Sequence, residues 1–196
     1  MDELRERLEE VERRLGRVEA ERAIERLMHR YVHAIDVIKD AEVTVGFFAP
    51  GAVWEGRGNL TEFRADGLDE IREMFHRNPS MLPFTAHFLT NPVIDVSPDG
   101  AQARGCWHAL EAATLFDGET AVWLIAHYDN DFVRRQGEWK IARLRFEDRV
   151  ICPYEEGWAR TRYVSPVTLE RVAQPRPTVP GEHPLTASAD REEGQA

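Results

Sequence analysis

The chain has 196 residues, of which 25 are Lys or Arg and 35 are Asp or Glu, so its formal net charge is −10. This acidic balance disfavours a nucleic-acid-binding protein, which needs a basic surface. Hydrophobic residues make up 42% of the chain, which is enough for a packed core. The length predicts one compact domain with residues left over for an arm or a tail.

The sequence also argues against membrane insertion and secretion. No apolar run approaches the roughly 20 residues that span a bilayer, and the charged N-terminus does not resemble a signal peptide. The two cysteines, Cys106 and Cys152, are too few for a disulfide framework or a cysteine-based metal site. We therefore expect a cytoplasmic protein that binds neither membranes nor nucleic acids.

Residues 1–38 are predicted to be helical. Five apolar residues in the first part alternate spacings of four and three, which is the pattern of a coiled-coil seam; they are Leu4, Leu8, Val11, Leu15 and Val18. So short a seam does not hold two helices together alone, and Gly16 weakens it further. Packing on the body of the domain, a contact between subunits and a solvated helix face are all open for residues 1–19. From about residue 20, a broader stripe of period 3.6 predicts a helix packed on a core.

Shorter elements follow, and then a run of long strands. Two helices are predicted at Ala41–Phe48 and Gly67–Arg77, with a short strand at Ala52–Gly56 between them. From residue 84 a period of two predicts four strands joined by tight turns, at Phe84–Val96, Ala101–Phe116, Glu119–Arg134 and Glu138–Cys152. Strands so much longer than the usual ~5–6 residues imply strong curling. We predict an α+β domain in which a curled antiparallel sheet wraps around N-terminal helices and leaves an enclosed pocket.

After Pro153 the periodic pattern fades. The remaining segment is rich in proline and polar residues, a composition typical of an extended or disordered tail. The predicted division is therefore a helical extension over residues 1–19, an α+β domain over residues 20–155 and a proline-rich tail over residues 156–196.

Two residues are candidates for chemistry, although no phosphate-binding or metal-binding motif occurs and we expect no cofactor and no metal. Asp36 lies near the end of the apolar helix, where an acid is either solvent-exposed or buried with a partner. His87 lies in the first long strand, where a histidine is more often structural than catalytic. Spacing alone does not show that these side chains meet. Residues of these types suit general acid–base catalysis.

The order of these elements resembles the SnoaL-like branch of the nuclear transport factor 2-like superfamily, which has a cystatin-like α+β cone. The resemblance covers roughly residues 20–155. It rests on Asp36 at the end of the first helix, the H-x-x-x-N motif that begins at His87 and the G-x-W-[KR]-I motif of residues 137–141. Several members of this superfamily are cofactor-free dehydratases and dehydrochlorinases.

The resemblance implies specific roles for three residues. A strand histidine acts as general base in those lyases, and a helix-end aspartate orients it, which assigns these roles to His87 and Asp36. Tyr31 matches a position that donates a proton or a hydrogen bond to the substrate. Seven further residues are expected to bind substrate: His108, Tyr128, Trp54, Asn91, Leu110, Arg145 and Phe146.

One departure from the family concerns the last strand. The dehydrochlorinases hold the leaving anion with an arginine there, whereas a gap-free match places Leu144 at that position. Arg145 would reach the pocket only through a β-bulge. This departure argues against halide elimination.

Alternation along the strands also predicts an oligomer. It is expected to place Trp107, Trp123 and Trp139 on the outer face of the sheet, away from His108 and Tyr128. Exposed aromatic surface of this kind indicates a homo-oligomer, either a trimer or a dimer.

The sequence thus predicts a cofactor-independent lyase of the dehydratase type that acts on a hydrophobic, ring-bearing small molecule. Three alternatives stay open: a double-bond isomerase of the ketosteroid type, a deformylating aromatic lyase with the same pocket, and a non-catalytic ligand-binding or assembly module. The substitution His87→Ala separates the classes, because it should abolish turnover and spare folding only in an enzyme.

Overall fold

The computed structural model describes residues 1–58 and 63–164. Its helices are α1 (Asp2–His33), α2 (Ala41–Val45) and α3 (Gly67–Met81), and a π-helical segment at Ala34–Ile38 extends α1. Its strands are β1 (Phe48–Arg57), β2 (Phe63–Asp66), β3 (Phe84–Val96), β4 (Gln102–Thr114), β5 (Ala121–Arg135) and β6 (Glu138–Pro153). Most of the predicted proline-rich tail, from residue 165 onwards, lies outside the described residues. None of the described helices is both long and apolar enough to cross a membrane.

The six strands form one curled sheet in the order β2-β1-β6-β5-β4-β3. The predicted α+β class and the β3–β6 meander are confirmed, but the sheet is mixed rather than wholly antiparallel, because β1 and β6 run parallel. β1 precedes the meander in the chain and joins the free edge of its last strand, and the long intervening segment provides the crossover that a parallel pair requires. β2 was not predicted because four residues are too few to show a period.

The end of α3 also differs from the prediction. The Asn78-Pro79 pair was expected to close this helix, but it continues to Met81 with Pro79 in its last turn. The N–H of Leu82 donates to the carbonyl of Asn78 at 2.8 Å, so the helix ends with a normal hydrogen bond after the proline.

The hydrophobic core lies between the concave face of the sheet and the helices. Trp107 and Trp139 belong to it, with exposures of only 1% and 7%, so the expectation that both lie on the outer face is wrong. Trp107 stands directly opposite Tyr128 in the register of β4 and β5, and directly opposed residues share a face of the sheet. Trp123 is half-buried, near Tyr154.

Helix α1 has two different halves. Residues 1–19 are all exposed, whereas the second half buries a stripe at helical spacing, consisting of Ala20, Ile24, Met28, Tyr31 and Val32. The helix is continuous across residues 19 and 20. The first half is therefore an arm that projects from the domain as a direct extension of a core helix.

Candidate active site

Asp36 is held near the start of β3 by the π-helical segment that extends α1. This segment ends at Lys39, which has a left-handed φ of 53° and whose N–H donates to the carbonyl of Ala34 at 2.8 Å. The ammonium group of Lys39 in turn donates to the carbonyl of Pro83 at 2.5 Å. These bonds fix the end of the helix against the first residues of β3. Short π-helical segments are frequent at functional sites.

Asp36 and His87 are in direct contact. Asp36 Oδ1 lies 2.7 Å from His87 Nδ1 and accepts a hydrogen bond from the Thr85 hydroxyl at 2.8 Å. Asp36 Oδ2 accepts from the backbone N–H of His87 at 2.8 Å. The carboxylate therefore fixes both the strand and the ring orientation of the histidine. The structure thus contains the contact that the family resemblance implied and that spacing alone did not show.

Glu111 occupies the other nitrogen of the His87 ring and was not anticipated from the sequence. The two residues are direct cross-strand partners on β3 and β4. Glu111 Oε2 lies 3.2 Å from His87 Nε2, and both side chains are buried. The second carboxylate oxygen, Oε1, is also buried and has no hydrogen-bond partner among the described residues. His87 is therefore placed between two carboxylates.

These contacts control the protonation of the site. Burial by itself lowers the pKa of His87, but the carboxylates of Glu111 and Asp36 outweigh it and raise this pKa to about 10. Burial also raises the pKa of Asp36, whereas the hydrogen bonds from His87 and Thr85 bring it below its usual value. These contacts therefore favour the imidazolium form of His87 at neutral pH over the neutral base that the family resemblance implies.

A cavity of about 310 Å³ opens beside this cluster. Its wall contains His87 and Glu111 together with four of the expected residues, Tyr31, Trp54, Tyr128 and Phe146. The rest of the described wall is mostly apolar and includes Ile35, Phe63, Met74, Phe75, Leu82 and Leu124. The cavity therefore combines a charged acid–base group with a hydrophobic enclosure, as small-molecule sites commonly do.

Two tyrosine hydroxyl groups belong to the same cavity. Tyr31 accepts a hydrogen bond from Trp54 Nε1 at 3.3 Å, and Tyr128 packs edge-on against Phe146 with the ring centroids 5.3 Å apart. Burial raises the pKa of each tyrosine well above its ordinary value. Both hydroxyls therefore stay protonated at neutral pH and are able to donate hydrogen bonds.

His108 and Leu110 do not reach the cavity. Both are exposed, because successive residues of a strand point to opposite faces and their neighbour Glu111 points inward. His108 lies opposite His127 on the outer face, with ring centroids 5.6 Å apart. The expectation that His108 shares a face with Tyr128 is wrong, because the register of β4 and β5 pairs Tyr128 with Trp107 instead.

Asn91 is also outside the cavity. It is exposed, has a left-handed φ of 54° and lies at an irregularity of the β3–β4 register between Thr90 and Val93. Two residues of β3 there face a single residue of β4, which is the arrangement of a β-bulge. The bulge breaks the simple alternation that was expected to place Asn91 on the same face as His87.

Arg145 points away from the cavity as well. Its guanidinium contacts Glu55 at 2.8 Å and Asp129 at 3.1 Å, in an ion-pair network on the outer side of the sheet. Leu144 is fully buried and occupies the inward position, as the gap-free match indicated. The register shift of β5 and β6 at Asp131 does not turn Arg145 inward.

Two larger hollows of the described structure do not contain this acid–base cluster. A larger hollow of about 690 Å³ lies at the opposite end of the sheet, beside Asp95, Arg104 and Asp131, but it contains none of the acid–base cluster. Among the described residues, no group of three or more His, Cys, Asp or Glu side chains is arranged to hold a metal ion. We therefore assign the candidate site to the smaller cavity.

Comparison with known proteins gives a family and a set of distant structures. The sequence profile of the SnoaL-like domain family matches residues 16–145, whereas no curated protein matches the chain. A Novosphingobium aromaticivorans protein provisionally described as an aromatic ring hydroxylase is similar at 27% identity, over 69% of this chain and 94% of that one, with a TM-score of 0.62.

Two further structures share the fold at lower identity. One, provisionally described as a scytalone dehydratase from Novosphingobium aromaticivorans, is 23% identical over 71% of this chain and 90% of its own, with a TM-score of 0.63. The other, a hexachlorocyclohexane dehydrochlorinase, is 21% identical over 71% of this chain and 91% of its own, with a TM-score of 0.63.

Proposed function

This chain belongs to the SnoaL-like domain family, and we propose that it is a cofactor-independent lyase that removes water from a small, neutral, ring-bearing molecule. One observation carries the proposal. In the wall of the apolar cavity, a buried carboxylate oxygen of Glu111 has no hydrogen-bond partner among the described residues, while the other oxygen contacts the His87 imidazolium. A buried acceptor left unpaired is costly, which favours a role in proton transfer over a purely structural one.

The proposed reaction begins with removal of a proton from the carbon next to a ketone. Glu111 accepts this proton, and the electron pair of the C–H bond moves onto the carbonyl oxygen to give an enolate. The enolate then collapses: the carbonyl re-forms, the electron pair moves between the α and β carbons to make the new double bond, and the bond from the β carbon to the hydroxyl breaks. The proton held by Glu111 passes to the departing hydroxyl, which leaves as water. At the end of the cycle the protein has returned to its original protonation state.

The other cavity residues support these charge movements. The His87 imidazolium, fixed by Asp36, stabilises the Glu111 carboxylate and the negative charge that develops beside it. The protonated hydroxyls of Tyr31 and Tyr128 are suited to donate hydrogen bonds to the enolate oxygen. General-base catalysis of this kind typically contributes about 10²–10⁴-fold.

Charge and size limit the substrate. The charged residues of the described wall are Glu111 and His87, with Asp36 behind them, so the group carries one more negative charge than positive. No Lys or Arg is among the described residues that line the cavity. An anionic substrate is therefore disfavoured. A volume of about 310 Å³ lies at the lower end of ligand sites, of roughly 300–1,000 Å³, and suits a molecule of one or two rings.

The same charges favour loss of water over loss of halide. The dehydrochlorinase among the similar structures is named for removal of hydrogen chloride, and a leaving chloride needs a cation. Arg145, the candidate cation of the last strand, is engaged with Glu55 and Asp129 outside the cavity. A leaving hydroxyl needs a proton instead, which the Glu111 cycle supplies.

The experiment incubates the protein in D₂O with a panel of neutral one-ring and two-ring β-hydroxy ketones. Proton NMR follows exchange at the carbon next to the ketone and appearance of the alkene. We expect both signals with the wild type and with Glu147→Gln, a matched substitution on an exposed residue of β6. Glu111→Gln should lose both by about 10²-fold or more.

The alternatives give different results in the same assay. Exchange with migration of a double bond, but without release of water, would replace the lyase by an isomerase. Release of formaldehyde would indicate the deformylating lyase. Panel members that bind in the cavity but exchange no protons with D₂O would indicate a ligand-binding module. Equal activity of Glu111→Gln and Glu147→Gln would refute the assignment of Glu111 as the base.

A further inference from the structure

We propose that the exposed arm, residues 1–19, is an assembly element that packs in parallel against the arms of other copies of this chain. The arm carries the five apolar residues of the predicted seam, and all are exposed at 54–73%: Leu4, Leu8, Val11, Leu15 and Val18. Single exposed apolar residues are ordinary, but a continuous stripe along a projecting helix is the seam of a coiled coil. No described residue of the same chain covers it.

The arm enters association already folded. Isolated helices of this length are marginal in water, yet this one continues without a break into the core half of α1, which is buried at Ala20, Ile24 and Met28. An ordered helix loses less conformational freedom on binding than a disordered segment. This continuity compensates in part for the shortness of the seam.

The charges beside the seam identify the partner as a second copy of the same segment. With Leu8 and Leu15 at heptad position a, the flanking g positions are Arg7 and Arg14. The flanking e positions of the following heptads are Glu12 and Glu19. In a parallel pair, each g residue faces the e residue of the partner's following heptad. Arg7 then faces the partner's Glu12, and Arg14 faces the partner's Glu19, so every such contact is attractive.

These same four side chains are not held in ion pairs within the described protomer. The described arm has intrahelical ion pairs between Arg5 and Glu9 and between Arg13 and Glu10. In contrast, none of the four flanking residues forms an ion pair within 4.0 Å in the described structure; they are Arg7, Glu12, Arg14 and Glu19. The flanking charges are thus available to a partner.

An antiparallel pair fits the charges less well. In that orientation the g positions face each other, and the seam aligns Leu4 with the partner's Leu15. Arg7 would then lie near the partner's Arg14, and like charges repel.

Cysteine cross-linking of the full-length protein tests the arrangement. Leu4→Cys places a thiol at a d position, where a parallel bundle brings the same residue of neighbouring arms together. Glu6→Cys places a thiol at the outward f position and is the matched control. Under mild oxidation we expect at least tenfold more intermolecular disulfide from Leu4→Cys. The wild type, whose Cys106 and Cys152 are half-buried and buried, provides the background.

Charge reversal provides a second readout in the Leu4→Cys background. The double change Arg7→Glu and Arg14→Glu should abolish the disulfide, as should the double change Glu12→Arg and Glu19→Arg. An equimolar mixture of the two variants should restore it, because each arm then faces opposite charges. These positions are exposed and lie outside the domain core, so circular dichroism should show unchanged folding.

Three results would overturn the proposal. Equal cross-linking of Leu4→Cys and Glu6→Cys would show that the seam does not pair. Stronger cross-linking between Leu4→Cys and Leu15→Cys chains than between Leu4→Cys chains would show an antiparallel arrangement. Failure of the charge-reversed mixture to recover would show that these ion pairs do not select the partner.

Discussion

The substitution Glu111→Gln should lower the pKa of His87 substantially. Glutamine keeps the shape of the side chain and removes the charge that lies 3.2 Å from His87 Nε2. Two unit charges at this distance and an effective dielectric of about 20 interact by about 5 kcal/mol, equivalent to about 4 pKa units. The pKa of His87, about 10 in the wild type, should therefore fall by up to about 4 units, towards that of an ordinary histidine.

The assay is a pH titration of the histidine ring signals by NMR, from about pH 5 to pH 11. The His87 signal is assigned by its loss in His87→Gln. We expect a downward shift of the His87 midpoint by about 2–4 units in Glu111→Gln. Glu147→Gln, on an exposed residue of β6, should leave the midpoint unchanged.

A shift of less than about one pKa unit in Glu111→Gln would refute the reasoning. It would mean that Asp36 alone holds the imidazolium proton and that the contact between Glu111 and His87 has little electrostatic effect. If Glu111→Gln showed the expected pKa shift of His87 but kept full catalytic activity, the electrostatic argument would stand and Glu111 would not be the base.

Three further predictions follow from the same structure. Folding raises the pKa of His87 from 6.5 to about 10, so the stabilisation that the protonated ring provides is complete below about pH 6.5 and is lost as pH rises to about 10. The free energy of unfolding measured in urea should therefore be lower at pH 10 than at pH 7, and equal values would contradict this. Tyr31→Phe should lower kcat by about 10²-fold with little change in folding, whereas a wild-type rate would exclude its hydroxyl from catalysis. Gly58→Ala should lower the free energy of unfolding by more than about 2 kcal/mol, because residue 58 has a φ of 134° and an added Cβ would lie 1.9 Å from Asp148 Oδ1. Gly51→Ala is the control, since residue 51 has a φ of 73° and open space around an added Cβ, and it should lower the free energy of unfolding by about 1 kcal/mol. Equal losses in the two variants would contradict the steric argument.

The family could be predicted because its motifs are matched directly in the sequence. The long strands could be predicted because a period of two is visible within a short stretch of chain. β3 has the predicted bounds, since its period of two is uninterrupted at both ends. The SnoaL-like assignment is confirmed by the match over residues 16–145. The contact between Asp36 and His87 was predicted only from the resemblance. The two residues are 51 positions apart, and no spacing rule connects a helix end with a strand at that distance in sequence.

Glu111 was missed because it depends on register rather than on a local pattern. Near the turn, Val96 pairs with Ala103, and counting back from this pair with regular pairing would place Ala112 opposite His87. The bulge at Asn91 adds one residue to β3, so Glu111 takes that place instead. A single residue in a left-handed conformation thus decides which side chain meets the histidine, and no sequence period marks it.

The parallel pair of β1 and β6 has a consequence for the order in which the molecule assembles. Trp54 pairs with Leu144, and Gly56 with Phe146, so these contacts join segments from the two ends of the domain and have high contact order. During synthesis, the hairpin that brings His87 and Glu111 together emerges before β6. The acid–base cluster is therefore able to form early, whereas the wall containing Trp54 and Phe146 is completed only when the last strand leaves the ribosome.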